Sequence, residues 1–156
     1  MADTPPTVVD EILARRIYGH TTCAVIDRDV ATTDESPAGA VLDVFVARFG
    51  FTGIGNSWAE VTLADAKVIA REVLHKDLAY RMDILPPSEA AALAERFFSL
   101  FEPTARCFTN GNVILPAAAS REVPGAYDPI TPSTFDTGVV CFDRQRIGIL
   151  WVQDED

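Results

Sequence analysis

The sequence predicts an α+β protein, with about four helices packed on an antiparallel sheet that closes in a β-hairpin over residues 134–153. Three observations predict it. Apolar residues recur at helical spacing through the first two-thirds of the chain. After Pro103 that period gives way to β-branched and aromatic runs. Last, Thr134 to Gln153 reads as two strands, Phe135 to Phe142 and Ile147 to Val152, joined by the polar turn Asp143-Arg144-Gln145-Arg146. The loop length fixes a register that pairs Phe142 with Ile147 and Val140 with Ile149. Gly138 then faces Trp151, where a missing side chain leaves room for the indole. Val139, Cys141 and Leu150 lie on one face, and Val140, Phe142 and Ile149 on the other. A hairpin apolar on both faces is central in its sheet or covered on both sides.

The other elements follow in order. Met1 to Thr7, with Pro5-Pro6, reads as a disordered terminus, and residues 8–156 as one domain. Val8 to Tyr18 is a helix: Thr7 caps it, Asp10 and Glu11 suit its first turn, and Gly19 ends it. Its apolar face is Val9, Ile12, Leu13 and Ile17. Cys23 to Ile26 is a short apolar run of strand type, and Asp27 to Ser36 a polar loop. Ser36-Pro37 opens a second helix on Val41, Val44, Phe45 and Phe49, stopped by Gly50. Phe51 to Ser57 is a Gly-rich connection. Thr62 with Asp65 caps the helix Leu63 to His75, whose face is Leu63, Ala66, Ile69, Ala70, Val73 and Leu74. Lys76 to Leu85 is ambiguous, with a short strand at Leu78 to Tyr80 as one reading. Pro86-Pro87-Ser88 starts the helix Glu89 to Phe101, which buries Leu93, Ala94, Phe97, Leu100 and Phe101. Ala105 to Thr109 reads as a strand, Asn110-Gly111 as a turn and Val113 to Leu115 as its candidate partner. Pro116 to Pro132 is a long surface loop.

Composition narrows the function. Asp and Glu number 23 against 13 Lys and Arg, for a net charge of −10. Such a surface repels nucleic acid and anionic membrane, and favours a basic partner protein. The alternative is that the charge simply keeps a bacterial protein soluble. Three cysteines, Cys23, Cys107 and Cys141, without a C-x-x-C motif suit free thiols in a reducing compartment. The N-terminal residues lack the basic and apolar regions of a signal peptide, and no apolar run reaches membrane-spanning length, so a cytoplasmic location is expected.

Chemistry-bearing patterns are sparse. Phe51-Thr52-Gly53-Ile54-Gly55 has the glycines of a phosphate loop, but no lysine follows and no strand precedes. His20 and Cys23 have H-x-x-C spacing, which suits a metal pair or a Cys-His nucleophile. With His75 the only other histidine, neither site is complete, and no metal or cofactor is expected. Carboxylates are plentiful, with Asp27, Asp29, Asp34 and Glu35 in one loop and Asp136 and Asp143 beside the hairpin, but no catalytic motif organises them. The tail has two readings. Trp151-Val152-Gln153 runs into Asp154-Glu155-Asp156, either a solvated end that protects a sheet edge or an acidic prong beside an aromatic anchor.

The segments Thr134-Phe135-Asp136, Ile147 to Val152 and Asp154-Glu155-Asp156 together resemble the small acidic immunity proteins that neutralise bacterial polymorphic or secretion-delivered toxins. The resemblance covers about the last quarter of the chain. It implies a protein partner, no cofactor and no catalysis. The leading expectation is therefore an inhibitor that occludes a basic enzyme such as a nuclease toxin, through Trp151, Asp154, Glu155 and Asp156, with Asp136 in support. The second is a small enzyme using Cys23 and His20, or a loop carboxylate.

Overall fold

The sheet forms around the C-terminal hairpin. In the computed structural model, which describes residues 7–28, 37–111 and 128–155, five strands are formed: β1 (His20–Asp27), β2 (Ala59–Val61), β3 (Arg106–Thr109), β4 (Phe135–Phe142) and β5 (Arg146–Asp154). They are antiparallel in the order β1-β5-β4-β3-β2, so both hairpin strands are interior. Phe142 pairs with Ile147, Val140 with Ile149 and Gly138 with Trp151, the register expected from the turn. The turn is held by Asp143, whose amide donates to Arg146 O at 2.9 Å and whose Oδ1 accepts from the amides of Gln145 and Arg146.

Helices cover both faces. α1 (Val8–Arg15), α3 (Leu63–His75) and α4 (Pro87–Phe98) pack on the face of Cys23, Cys107, Val139, Cys141, Leu150 and Val152. α2 (Ala38–Ala47) covers the face of Phe108, Val140, Phe142, Ile147, Ile149 and Trp151. Ile149, Leu150 and Trp151 are fully buried, and each such side chain contributes roughly 1.5–3 kcal/mol.

The helix boundaries show which local signals dominate. α3 spans the expected residues, with Thr62 Oγ1 accepting from the Asp65 amide. In α1, Thr7 and Asp10 form a reciprocal capping box. α1 ends at Arg15, earlier than its apolar pattern suggests, because the Arg16 side chain turns inward. In α2 the buried stripe is Leu42, Phe45 and Val46, and Val44 is 72% exposed. Of the expected stripe, Phe45 is buried and Val41 and Phe49 pack partly against the same cluster, so Val44 alone is misplaced. Gly50, at φ +78°, closes that helix as expected, with Phe51 N donating to Val46 O. α4 begins and ends earlier than expected, on Pro87 and Phe98. Leu78 to Tyr80 is a turn instead of a strand, beneath an isolated bridge between Lys76 and Asp83. β1 is longer than its apolar core, and β2 carried no sequence signal beyond Val61. Met1 to Pro6, the Ser36 cap, Val113 to Leu115 and most of the Pro116 to Pro132 loop lie outside the described residues.

Gly138 is needed for a reason other than the one expected. A Cβ there would lie 2.0 Å from Leu150 O and 2.8 Å from Trp151 Cα, so the obstacle is the β5 backbone instead of the indole. Gly138→Ala is expected to cost about 2–3 kcal/mol in urea denaturation. A cost below about 0.5 kcal/mol would contradict this packing.

Candidate functional site

The tail residues are mostly internal. Asp154, the last residue of β5, is fully buried and meets Arg16, the first residue past α1, which is also buried. The guanidinium donates to both carboxylate oxygens, at 3.2 Å and 2.9 Å. Its remaining donors reach Val73 O in α3 at 2.5 Å and Tyr18 O at 2.6 Å. Asp154 Oδ2 also accepts from the Leu78 amide at 2.8 Å. One ion pair thus ties the end of α1, the end of α3, the 77–82 turn and the last strand together. Gly19, at φ +65°, lets the chain pass over it; a Cβ there would fall 2.0 Å from Asp154 Oδ1.

Trp151 and Asp136 are also fully buried. The Trp151 indole packs edge-on against Trp58 at 5.9 Å and donates to Asp136 Oδ1 at 3.2 Å. Asp136 further accepts from Asn110 Nδ2, the amides of Ile130 and Thr131, and the Thr131 hydroxyl. That network anchors the chain returning into β4. Of the tail acids, Glu155 is exposed, and the Thr134 hydroxyl and amide hold its carboxyl below the usual range. Asp156 lies outside the described residues. The expected acidic prong is therefore corrected. Trp151, Asp136 and Asp154 are bound within the fold, because each has polar atoms that the surrounding backbone and side chains satisfy internally.

His20 and Cys23 do not form a dyad. Both lie in β1, where residues three apart point to opposite faces. Cys23 joins the core under α1, α3 and α4, and burial pushes its thiol up to about 12. His20 is exposed beside Thr22, Phe49 and Gln153. The H-x-x-C spacing suits proximity only on a turn or helix, and the strand here begins at His20, three residues before the expected start at Cys23. Cys23 does line an open groove of about 690 Å³, with Thr7, Val8, Val25, Arg96 and Leu100. Arg96 is ion-paired to Glu11 there.

The Gly-rich connection has its donors already engaged. Asp43 of α2 accepts from the amides of Ile54 and Gly55 and from the Trp58 indole at 2.8 Å. A Cβ at Gly53 would meet that carboxylate at 2.4 Å. The amides that would face a phosphate thus face the protein's own carboxylate. Among the described residues no three His, Cys, Asp or Glu side chains group as metal ligands, and no helix is long and apolar enough to cross a membrane.

Of the apolar face expected on α1, Ile12 is buried and Val9 packs partly against the core, but Leu13 and Ile17 are exposed, part of an apolar surface the sequence did not show. Leu13, Ile17, Tyr18, Tyr80 and Met82 are exposed, Ile17 at 81%. They sit on α1 with its following turn and on the 77–82 turn, and both turns hydrogen-bond to the Arg16–Asp154 pair, through Tyr18 O and Leu78 N. Asp77, fully buried, fixes the second turn by accepting from the amides of Tyr80 and Met82, and Arg81 adopts φ +57°. Because α1 ends at Arg15, Ile17 and Tyr18 lie past the stripe that was expected to bury Ile17.

Compared with known proteins, the chain matches no family model, no curated protein and no solved structure.

The Asp143 carboxylate supplies a pH test. Its burial works to raise the pKa, and hydrogen bonds from the Glu102, Gln145 and Arg146 amides outweigh it, leaving the pKa lowered. A carboxyl lowered on folding stabilises above its unfolded pKa of about 3.9, and that stability is lost as pH falls through the folded value. The stability gap between wild type and Asp143→Asn should be constant from about pH 7 to 5 and shrink below about pH 4. Urea midpoints measure it, and a gap unchanged to about pH 3 would contradict it.

Proposed function

We propose that this chain is an acidic protein-binding module that inhibits a basic enzyme, a nuclease toxin being the leading candidate. Its docking surface is Leu13, Ile17, Tyr18, Tyr80 and Met82 in place of the C-terminal acids. The observation that carries this reading is the exposure of five large apolar side chains, Leu13 on α1 and four on the two turns fastened to one buried ion pair. Exposed tyrosine and aliphatic anchors on fixed backbone bind with little loss of conformational freedom. The net charge of −10 supports attraction to a cationic partner and speeds its encounter. A cytoplasmic setting and the resemblance to immunity proteins belong to the same proposal. Val44, exposed on α2 at the other face, is not part of the surface.

The test uses the product of the neighbouring gene, purified as an inactive variant, as the binding probe. Wild type is expected to bind it with association that slows as salt rises. Ile17→Glu combined with Tyr80→Ala should keep the melting temperature and weaken binding about 30-fold or more. A wild type that does not bind this probe, or a variant that binds it unchanged, would overturn the proposal.

A further inference from the structure

We propose that Cys107 and Cys141 form a cross-strand dithiol site that closes into an intrachain disulfide by exchange with a glutathione-type disulfide. The two residues are direct register partners across β3 and β4. Their pairing class follows from the ladder. Asp143 N donates to Arg146 O, so odd-numbered β4 residues direct their backbone groups toward β5 and even-numbered ones toward β3. Cys141 and Cys107 are therefore a non-hydrogen-bonded pair, the class with Cα atoms about 4.5 Å apart and side chains closest. That spacing falls within the range of about 4.4–6.8 Å that a disulfide bridges. Both side chains point to the face covered by α3, where they are side by side as register partners. Cys23 lies on β1, beyond β5 and β4 from β3, with no such partner in register.

The exchange has two steps. One cysteine thiolate attacks oxidised glutathione, forming a mixed disulfide and releasing one glutathione thiolate. The second cysteine thiolate then attacks the protein sulfur of that mixed disulfide and releases the other. Two protein thiols and one glutathione disulfide give one intrachain disulfide and two glutathione thiols, which carry both protons and both electrons.

The closed fold restrains this chemistry. Cys107 is 1% exposed and Cys141 not at all, and burial, followed by the neighbouring Cys107, raises the Cys141 pKa well above its ordinary value. Access requires α3 to lift from β3 and β4, since both thiols lie on the sheet face that this helix covers. The dithiol thus reports opening of the layer between α3 and the sheet.

The experiment equilibrates the wild-type chain in a glutathione redox buffer at about pH 8, with and without sub-denaturing urea, then alkylates and maps peptides. The expected product joins Cys107 to Cys141 and leaves Cys23 alkylated. It should form several-fold faster with urea, and its effective concentration should exceed that in the denatured chain by about 30-fold or more. Cys23→Ser should form it equally. No linked peptide after refolding from urea in the same buffer, a linkage through Cys23, or an effective concentration equal to the denatured value would each overturn the proposal.

Discussion

The Arg16–Asp154 pair is the constraint on which the rest of the arrangement depends. Two opposite charges share a site from which water is excluded, and every strong donor and acceptor around them finds a partner. Removing charges from water is costly, and mutual attraction alone rarely offsets that cost. Here the added hydrogen bonds to Val73 O, Tyr18 O and Leu78 N complete the compensation. The same bonds draw α1, α3 and the 77–82 turn onto the end of β5. The apolar side chains exposed around the pair are held there as a consequence.

The acidic composition has a structural use beyond solubility. Asp43, Asp77, Asp136, Asp143 and Asp154 each accept from backbone amides that a loop or turn would otherwise leave without partners. A carboxylate satisfies two or more amides at once, which suits the irregular connections of this chain. Part of the negative charge is thus turned inward. Much of the basic charge is spent on outer ion pairs, such as Arg106 with Glu60, where Arg106 also stacks on Phe108 and Phe142. Exposed pairs of this kind contribute about 0–1 kcal/mol and serve more to neutralise patches than to hold the fold.

The fold class, the central hairpin and its register were legible because they rest on local rules. Side-chain alternation and a short polar turn leave one pairing that buries both strands. α3 was legible to the residue because its cap and its apolar stripe agree. The tail was misread because a terminal Asp-Glu-Asp run looks solvated in sequence, and nothing local shows that Arg16 waits 138 positions away. His20 and Cys23 were brought together by spacing that suits a turn, whereas the backbone there is extended. The apolar surface was only partly legible: Leu13 and Ile17 read as an apolar face of α1, but the helix stops at Arg15 and leaves them exposed, and the link to the 77–82 turn runs through Arg16 and Asp154.

These features make one account: an inward-facing carboxylate at the end of the sheet fixes two turns, and those turns leave apolar side chains exposed. Its most direct measurement is a double-mutant cycle on Arg16→Met and Asp154→Leu, read by urea denaturation. Each single variant leaves a buried charge uncompensated and should cost about 3–5 kcal/mol, while the double variant should cost far less than their sum. Strictly additive losses, or single losses of about 1 kcal/mol as at an exposed pair, would contradict the account.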